Sequence, residues 1–114
     1  AMRPHNSGHW SIEGSVTSQF ENHLRAVLDL PLGDPSVTAP VTVMVNVLGG
    51  DLPDLYPAYL HCMARDPGLK VHVYGKAVRP GRKVGHVTVT GEQVDGCKER
   101  ARHAASYLRG DIDE

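Results

Sequence analysis

Lys70-Val71-His72-Val73-Tyr74-Gly75-Lys76 and Val84-Gly85-His86-Val87-Thr88-Val89-Thr90, joined by Ala77-Val78-Arg79-Pro80-Gly81-Arg82-Lys83, decide the fold of this chain. Both arms alternate with a period of two, the signature of a strand with one face buried. Val71 and Val73 lie on one face of the first arm, with His72 and Tyr74 on the other. In the second arm the same reading puts Val87 and Val89 inward and His86 and Thr88 outward. Pro80-Gly81 forces a turn between them, so the two arms are expected to pair as an antiparallel hairpin. Upstream, Val41-Thr42-Val43-Met44-Val45-Asn46-Val47-Leu48 is β-branched and nearly continuous in apolar character, which predicts a strand buried on both faces.

Three helices surround these strands. The first is expected over Thr17 to Leu30, with Phe20, Leu24, Val27 and Leu28 on one stripe; Ser18 and Glu21 have capping-box spacing, and Ser15 or Thr17 could cap instead. The second runs from a cap at Asp54 to about Arg65 and carries Leu55, Tyr59, Cys62 and Met63 on one side, with Pro57 in its first turn. The third follows Thr90 and Gln93, which have T-x-x-Q spacing. It buries Val94, Cys97, Ala101, Ala104, Ala105 and Leu108, and Gly110 closes it. The order α-β-α-β-β-α defines an α+β fold, a small and mainly antiparallel sheet with packed helices. Its expected core is Phe20, Leu24, Leu28, Leu55, Cys62, Met63, Val94, Cys97, Ala101 and Leu108.

The composition excludes several classes. With 114 residues, 12 Lys and Arg against 13 Asp and Glu, and 40% hydrophobic residues, the balance is that of a folded domain. A net charge of −1 and 5% aromatics argue against a protein that coats nucleic acid or stacks bases. No apolar run approaches the roughly 18 residues of a membrane helix, and no secretory signal is visible. Cys62 and Cys97 read as buried thiols, and the compartment as cytoplasmic.

Two stretches carry chemistry. Lys76, Arg79, Arg82 and Lys83 concentrate cations on one constrained loop of an otherwise neutral chain, which suits a phosphate that Arg can grip bidentately. The bland alternative is a solvated loop of surface charge. The second stretch, Arg3-Pro4-His5-Asn6-Ser7-Gly8-His9-Trp10, is dense in site-type residues. Arg3 can hold an anion, while His5, Asn6 and Ser7 offer donors and acceptors. A metal held by His5 and His9 lacks a third ligand, so no metal site is expected. Glu13, Asp51 and Asp54 could act as acids or bases, but nothing singles them out, and His61 and His72 have no evident partners. There is no Walker A, GxGxxG or GxSxG pattern.

Taken in order with Val16-Thr17-Ser18-Gln19-Phe20-Glu21 and Val43-Met44-Val45-Asn46-Val47-Leu48-Gly49, these stretches resemble the C-terminal part of the 5-(carboxyamino)imidazole ribonucleotide synthetases, ATP-grasp enzymes of purine biosynthesis. The resemblance covers Arg3 to about Arg109. It implies an ATP-dependent ligase that carboxylates aminoimidazole ribonucleotide with bicarbonate, with carboxyphosphate formed first. Arg3 and His5 resemble the family's active-site Arg and His, and Asn6 and Ser7 belong to the same substrate loop. Lys76 and Arg82 resemble the residues that hold the substrate's phosphate, with Arg79 and Lys83 beside them. Residues 1–40 would be the end of the ATP-grasp domain, and 41–114 the C-terminal small sheet with its closing helices.

The family's acidic metal-binding strand, N-terminal domain and ATP lid are not among these residues. The resemblance therefore implies a fragment: ATP and magnesium belong to the full-length enzyme, with neither cofactor nor turnover expected here. The residues 3–10 should then be mobile or held by a neighbouring chain, and a homo-oligomer is expected. A stand-alone module gripping a phosphorylated ligand or RNA, and a regulatory domain without ligand, are the alternatives.

Overall fold

The computed structural model describes residues 2–113. A 3-10 turn at Asn6–Gly8 leads into α1 (Ser11–Gly14) and α2 (Gln19–Val27). Then follow β1 (Val41–Leu48), α3 (Tyr56–Arg65), β2 (Lys70–Val73), β3 (Lys83–Gly91) and α4 (Val94–Arg109). The three strands form one antiparallel sheet in the order β1-β3-β2. The expected hairpin is present: Val71 stands opposite Val87 and Val73 opposite Gly85.

Paired residues of an antiparallel ladder share a face, so the register sorts the sheet into two sides. On one side lie Val43, Val45, Val47, Val71, Val87 and Val89. Against them pack α3 and α4 with Leu55, Ala58, Cys62, Cys97, Ala101, Ala104 and Leu108, which together form the core. The small side chains of Ala101, Ala104 and Ala105 let α4 lie close to the strands, and Leu108 is wholly enclosed. Both cysteines are buried, and neither is in a disulfide.

The second side holds Met44, Asn46, His72, His86 and Thr88. Its His72, His86 and Thr88 were expected to face outward, yet His86 is 1% exposed and Thr88 fully buried. The polypeptide from Arg3 to Thr38 covers it: Asn6, His9 and Glu13 all make side-chain contacts there. Residues 84–89 are consequently buried throughout, whereas β1 is only half-buried along most of its length. The strand buried on both faces is therefore β3 and not β1. The reason is sheet order, because β3 pairs on both edges and β1 on one.

The helix-2 stripe is a second correction. Phe20 is 40% exposed and Leu28 65%, and Leu24 is exposed as well. The helix is anchored by its N-terminus, where Gln19 meets Ser11, and its apolar stripe turns away from the sheet. Met63 and Val94 also stand outside the core. Leu55, Cys62, Cys97, Ala101 and Leu108 are buried as expected.

Local signals fared unevenly. Ser18 caps α2 by accepting from the Glu21 amide at 3.1 Å, and Asp54 accepts from the Tyr56 amide at 3.0 Å ahead of α3. The Thr90–Gln93 cap does not form. Strand β3 runs through Thr90, which stands opposite Thr42, and Gln93 itself is the N-cap without a side-chain bond. Gly110 ends α4 in the left-handed conformation, as expected.

Candidate active site at one end of the sheet

The N-terminal loop is held by its own chain, where residues 3–10 were expected to be mobile or held by a neighbouring chain. His5 is extended, with φ −139° and ψ 156°. Its Nδ1 lies 2.9 Å from Ser7 Oγ and accepts from the Ser7 amide at 3.2 Å, which closes the 3-10 turn. The His5 amide donates to Gln19 Oε1 at 2.9 Å, and Gln19 Nε2 donates back to the His5 carbonyl at 2.8 Å. The Asn6 side chain exchanges two hydrogen bonds with Asn46 on β1, at 2.8 and 3.1 Å. Arg3 is exposed and its guanidinium reaches only the Pro4 carbonyl, at 3.3 Å.

The cationic loop 74–83 is stapled to the end of β1. The Gly49 amide donates to the Arg82 carbonyl at 2.6 Å, and the Gly81 amide donates to the Gly49 carbonyl at 2.9 Å. Within the loop, the Arg82 amide donates to the Arg79 carbonyl at 3.0 Å, with Pro80 and Gly81 between them. Gly81 has φ 76°, so the turn is of type II and a side chain at that position would be strained. Two cations span the loop. Lys76 Nζ donates to the Lys83 carbonyl at 3.4 Å, and Arg82 donates to the Ala77 carbonyl at 3.1 Å. Lys76 also stands 5.7 Å over the Tyr74 ring. Lys76, Arg79 and Lys83 are exposed and Arg82 is half-buried.

The loops share one end of the sheet. Asn46 holds the first and Gly49 the second, and three residues of extended chain separate these anchors by about 10 Å. Between the loops lies a stack of rings. His9 packs on His86 at 5.0 Å between centroids, and His72 stacks on His86 at 4.5 Å. Tyr74 Oη lies 2.7 Å from His86 Nδ1, and His72 Nε2 lies 2.7 Å from Glu13 Oε1. Burial, with His72 and His9 close by, pushes His86 down to about 4. Burial lowers His9 too, followed by the nearby His5, His72 and Lys83. The Tyr74 phenol is raised by burial, so it keeps its proton and donates to a neutral His86.

His72, read from the sequence as partnerless, thus pairs with Glu13. Gln19, Asn46 and Tyr74 were given no role in the sequence reading, and Glu13 was named only as one of three possible acids or bases. Asn46 alone had a usable signal, as a lone amide inside an apolar strand. Among the described residues, no group of three His, Cys, Asp or Glu is placed to hold a metal ion. None of the described helices is long and apolar enough to cross a membrane.

A small antiparallel sheet backed by two helices, with a cationic loop at one end, matches a known family over residues 42–100, just over half of the chain. The chain belongs to the phosphoribosylaminoimidazole carboxylase C-terminal domain family. It is 58% identical over 111 residues to the N5-carboxyaminoimidazole ribonucleotide synthase of Mycobacterium tuberculosis, covering 95% of this chain and 26% of that protein. Its fold is similar to the crystal structure of N5-carboxyaminoimidazole ribonucleotide synthetase from Thermotoga maritima, with a TM-score of 0.78 and 44% identity over 94% of this chain and 30% of the other. It is also similar to the Aspergillus clavatus N5-carboxyaminoimidazole synthase in complex with ADP and 5-aminoimidazole ribonucleotide, with a TM-score of 0.77 and 38% identity over 93% and 29% of the two chains. The resemblance carried by the motifs is borne out. The chain spans about a quarter of the length of the curated relatives it matches.

Proposed function

We propose that this chain is the part of an ATP-dependent ligase that binds aminoimidazole ribonucleotide and helps carboxylate it with bicarbonate, in de novo purine biosynthesis. The observation that carries this reading is the cationic loop, fixed by Gly49 at the same end of the sheet as the His5 loop. A ribose 5′-phosphate is dianionic, and more than one cation is needed to replace its water. Lys76 and Arg82 take that role, with Arg79 and Lys83 raising the local potential. At the other loop, Arg3 and His5 stand beside the reacting amine and the bicarbonate-derived group, and Asn6 and Ser7 shape the same wall.

Residues 1–40 are read as the end of the ATP-grasp domain and 41–114 as its C-terminal sheet. ATP and magnesium belong to the whole enzyme. Exposed Leu24, Val27 and Leu28 favour a homo-oligomer. A cytoplasmic location fits a biosynthetic ligase.

Kinetics in the full-length protein test the reading. Lys76→Ala and Arg82→Ala should each raise the KM for the ribonucleotide by roughly tenfold to a hundredfold and leave the KM for ATP unchanged. A ribonucleotide KM that stays at the wild-type value in both variants would overturn it.

A further inference from the structure

We propose that Gln19 is a positioning residue that clamps the His5 loop, through two hydrogen bonds to the His5 main chain and one to the His9 ring. The proposal rests on the reading above, in which His5 stands beside the reacting group. An extended residue points its own N–H and C=O to the same side, and His5 is extended. A primary amide is the neutral side chain that presents an acceptor and a donor together, so it can meet both at once. Gln19 does this at 2.9 and 2.8 Å. The second hydrogen of its Nε2 faces His9 Nδ1, 2.9 Å away. His9 then accepts at Nδ1 and is neutral, in keeping with the lowering of its pKa by burial and by the nearby His5, His72 and Lys83.

Two further observations show that the clamp is built in. Ser11 Oγ donates to the Gly8 carbonyl at 2.6 Å and accepts from the Gln19 amide at 3.0 Å, so the main chain of Gln19 is tied to the same loop as its side chain. A Cβ at Gly8 would collide with the Gln19 amide group, whose atoms are its three nearest neighbours. Glycine at position 8 is the space the amide occupies. Among the described residues, the His5 ring hydrogen-bonds only to Ser7, two residues on. Its placement relative to the sheet therefore depends on the main-chain clamp and on the neighbouring Asn6–Asn46 pair.

The test uses the full-length protein, with steady-state kinetics and melting temperature for each variant. Gln19→Met keeps the side-chain length and loses all three hydrogen bonds. It should lower kcat by roughly tenfold to a hundredfold, the effect of misplacing a reacting group, with the ribonucleotide KM little changed. Gly8→Ala displaces the amide without touching Gln19 chemically, and should reproduce that kcat loss. The double variant should be no worse than either alone. Gln19→Glu supplies a pH readout. Its protonated carboxyl restores a donor and an acceptor, so its kcat relative to wild type should recover as pH falls, while that of Gln19→Met should not. His5→Ala run in parallel separates the two ideas. If His5→Ala lowers kcat while Gln19→Met and Gly8→Ala leave it at the wild-type value, the clamp is wrong and the reading of His5 stands. If His5→Ala leaves kcat unchanged, both fall. Should Gln19→Met fail to fold, Gly8→Ala still decides, since wild-type kcat in that variant overturns the clamp.

Discussion

The side-chain amides of Asn6 and Asn46 face each other and exchange two hydrogen bonds, one in each direction, across forty residues of sequence. One belongs to the 3-10 turn of the N-terminal loop and the other to β1. The pair fixes that loop to the sheet, and among the described residues each half-buried amide hydrogen-bonds through its side chain to the other alone. Replacing Asn46 by Leu should leave the Asn6 amide unpaired and cost about 1–3 kcal/mol in urea unfolding. Amide exchange should speed up at residues 5–9 and stay slow in α4. Unaltered exchange at residues 5–9 would show that the pair does not hold the loop.

Acid should loosen the two layers. His86 sits at about 4 when folded, below its ordinary 6.5, so the unfolded chain takes up a proton that the folded chain refuses. Its contribution is complete above about pH 6.5 and is lost as pH falls toward 4, by up to roughly 3 kcal/mol. His9 shifts in the same direction and adds to the slope. The groups facing His86 are His9, His72 and Tyr74, with Glu13 behind His72. His86→Phe should flatten the dependence of the unfolding midpoint on pH between 6.5 and 4. A slope as steep as that of the wild type would place the titration elsewhere.

Gly49 is predicted to control the cationic loop. A Cβ there would collide with the carbonyl, carbon and nitrogen of Arg79, all of them main chain and unable to step aside. Gly49→Ala should break the paired bonds to Arg82 and Gly81. In an amide NMR spectrum, residues 76–83 should shift strongly and α4 hardly at all. A spectrum unchanged over 76–83 would mean the loop is held by other contacts.

The two sides of the molecule should respond differently to truncation. Leu108 is fully buried under the sheet, and Leu108→Ala should cost about 2–5 kcal/mol through lost burial and the cavity left behind. Leu24, on the outward stripe of α2, is 59% exposed, and at concentrations low enough to dissociate any oligomer Leu24→Ala should stay within about 0.5 kcal/mol. Chemical unfolding of the two variants tests this. Comparable losses would mean that α2 is packed against another surface in solution.

Local and periodic features were determined by the sequence alone. The bounds of β1, the hairpin of β2 with β3, the Ser18 cap, the Gly110 stop and the buried stripe of α4 all follow from spacings of a few residues. So did the cationic loop, because Lys76, Arg79, Arg82 and Lys83 are neighbours in the chain as they are in space. What the tertiary structure decided was which surfaces meet. The alternation of Val87 and Val89 with His86 and Thr88 reads as one wet face, and a period of two has no means of announcing that Arg3 to Thr38 will cover it. The same blindness applies to Gln19 with His5, Asn46 with Asn6 and Glu13 with His72, separated by 14, 40 and 59 residues. Phe20, Leu24 and Leu28 err in the opposite sense, since a helical stripe is apolar whether its partner lies in this chain or in another molecule. A pattern of side chains shows that a surface is to be buried or bonded; only the folded chain, by bringing distant residues within 3 Å, chooses the partner.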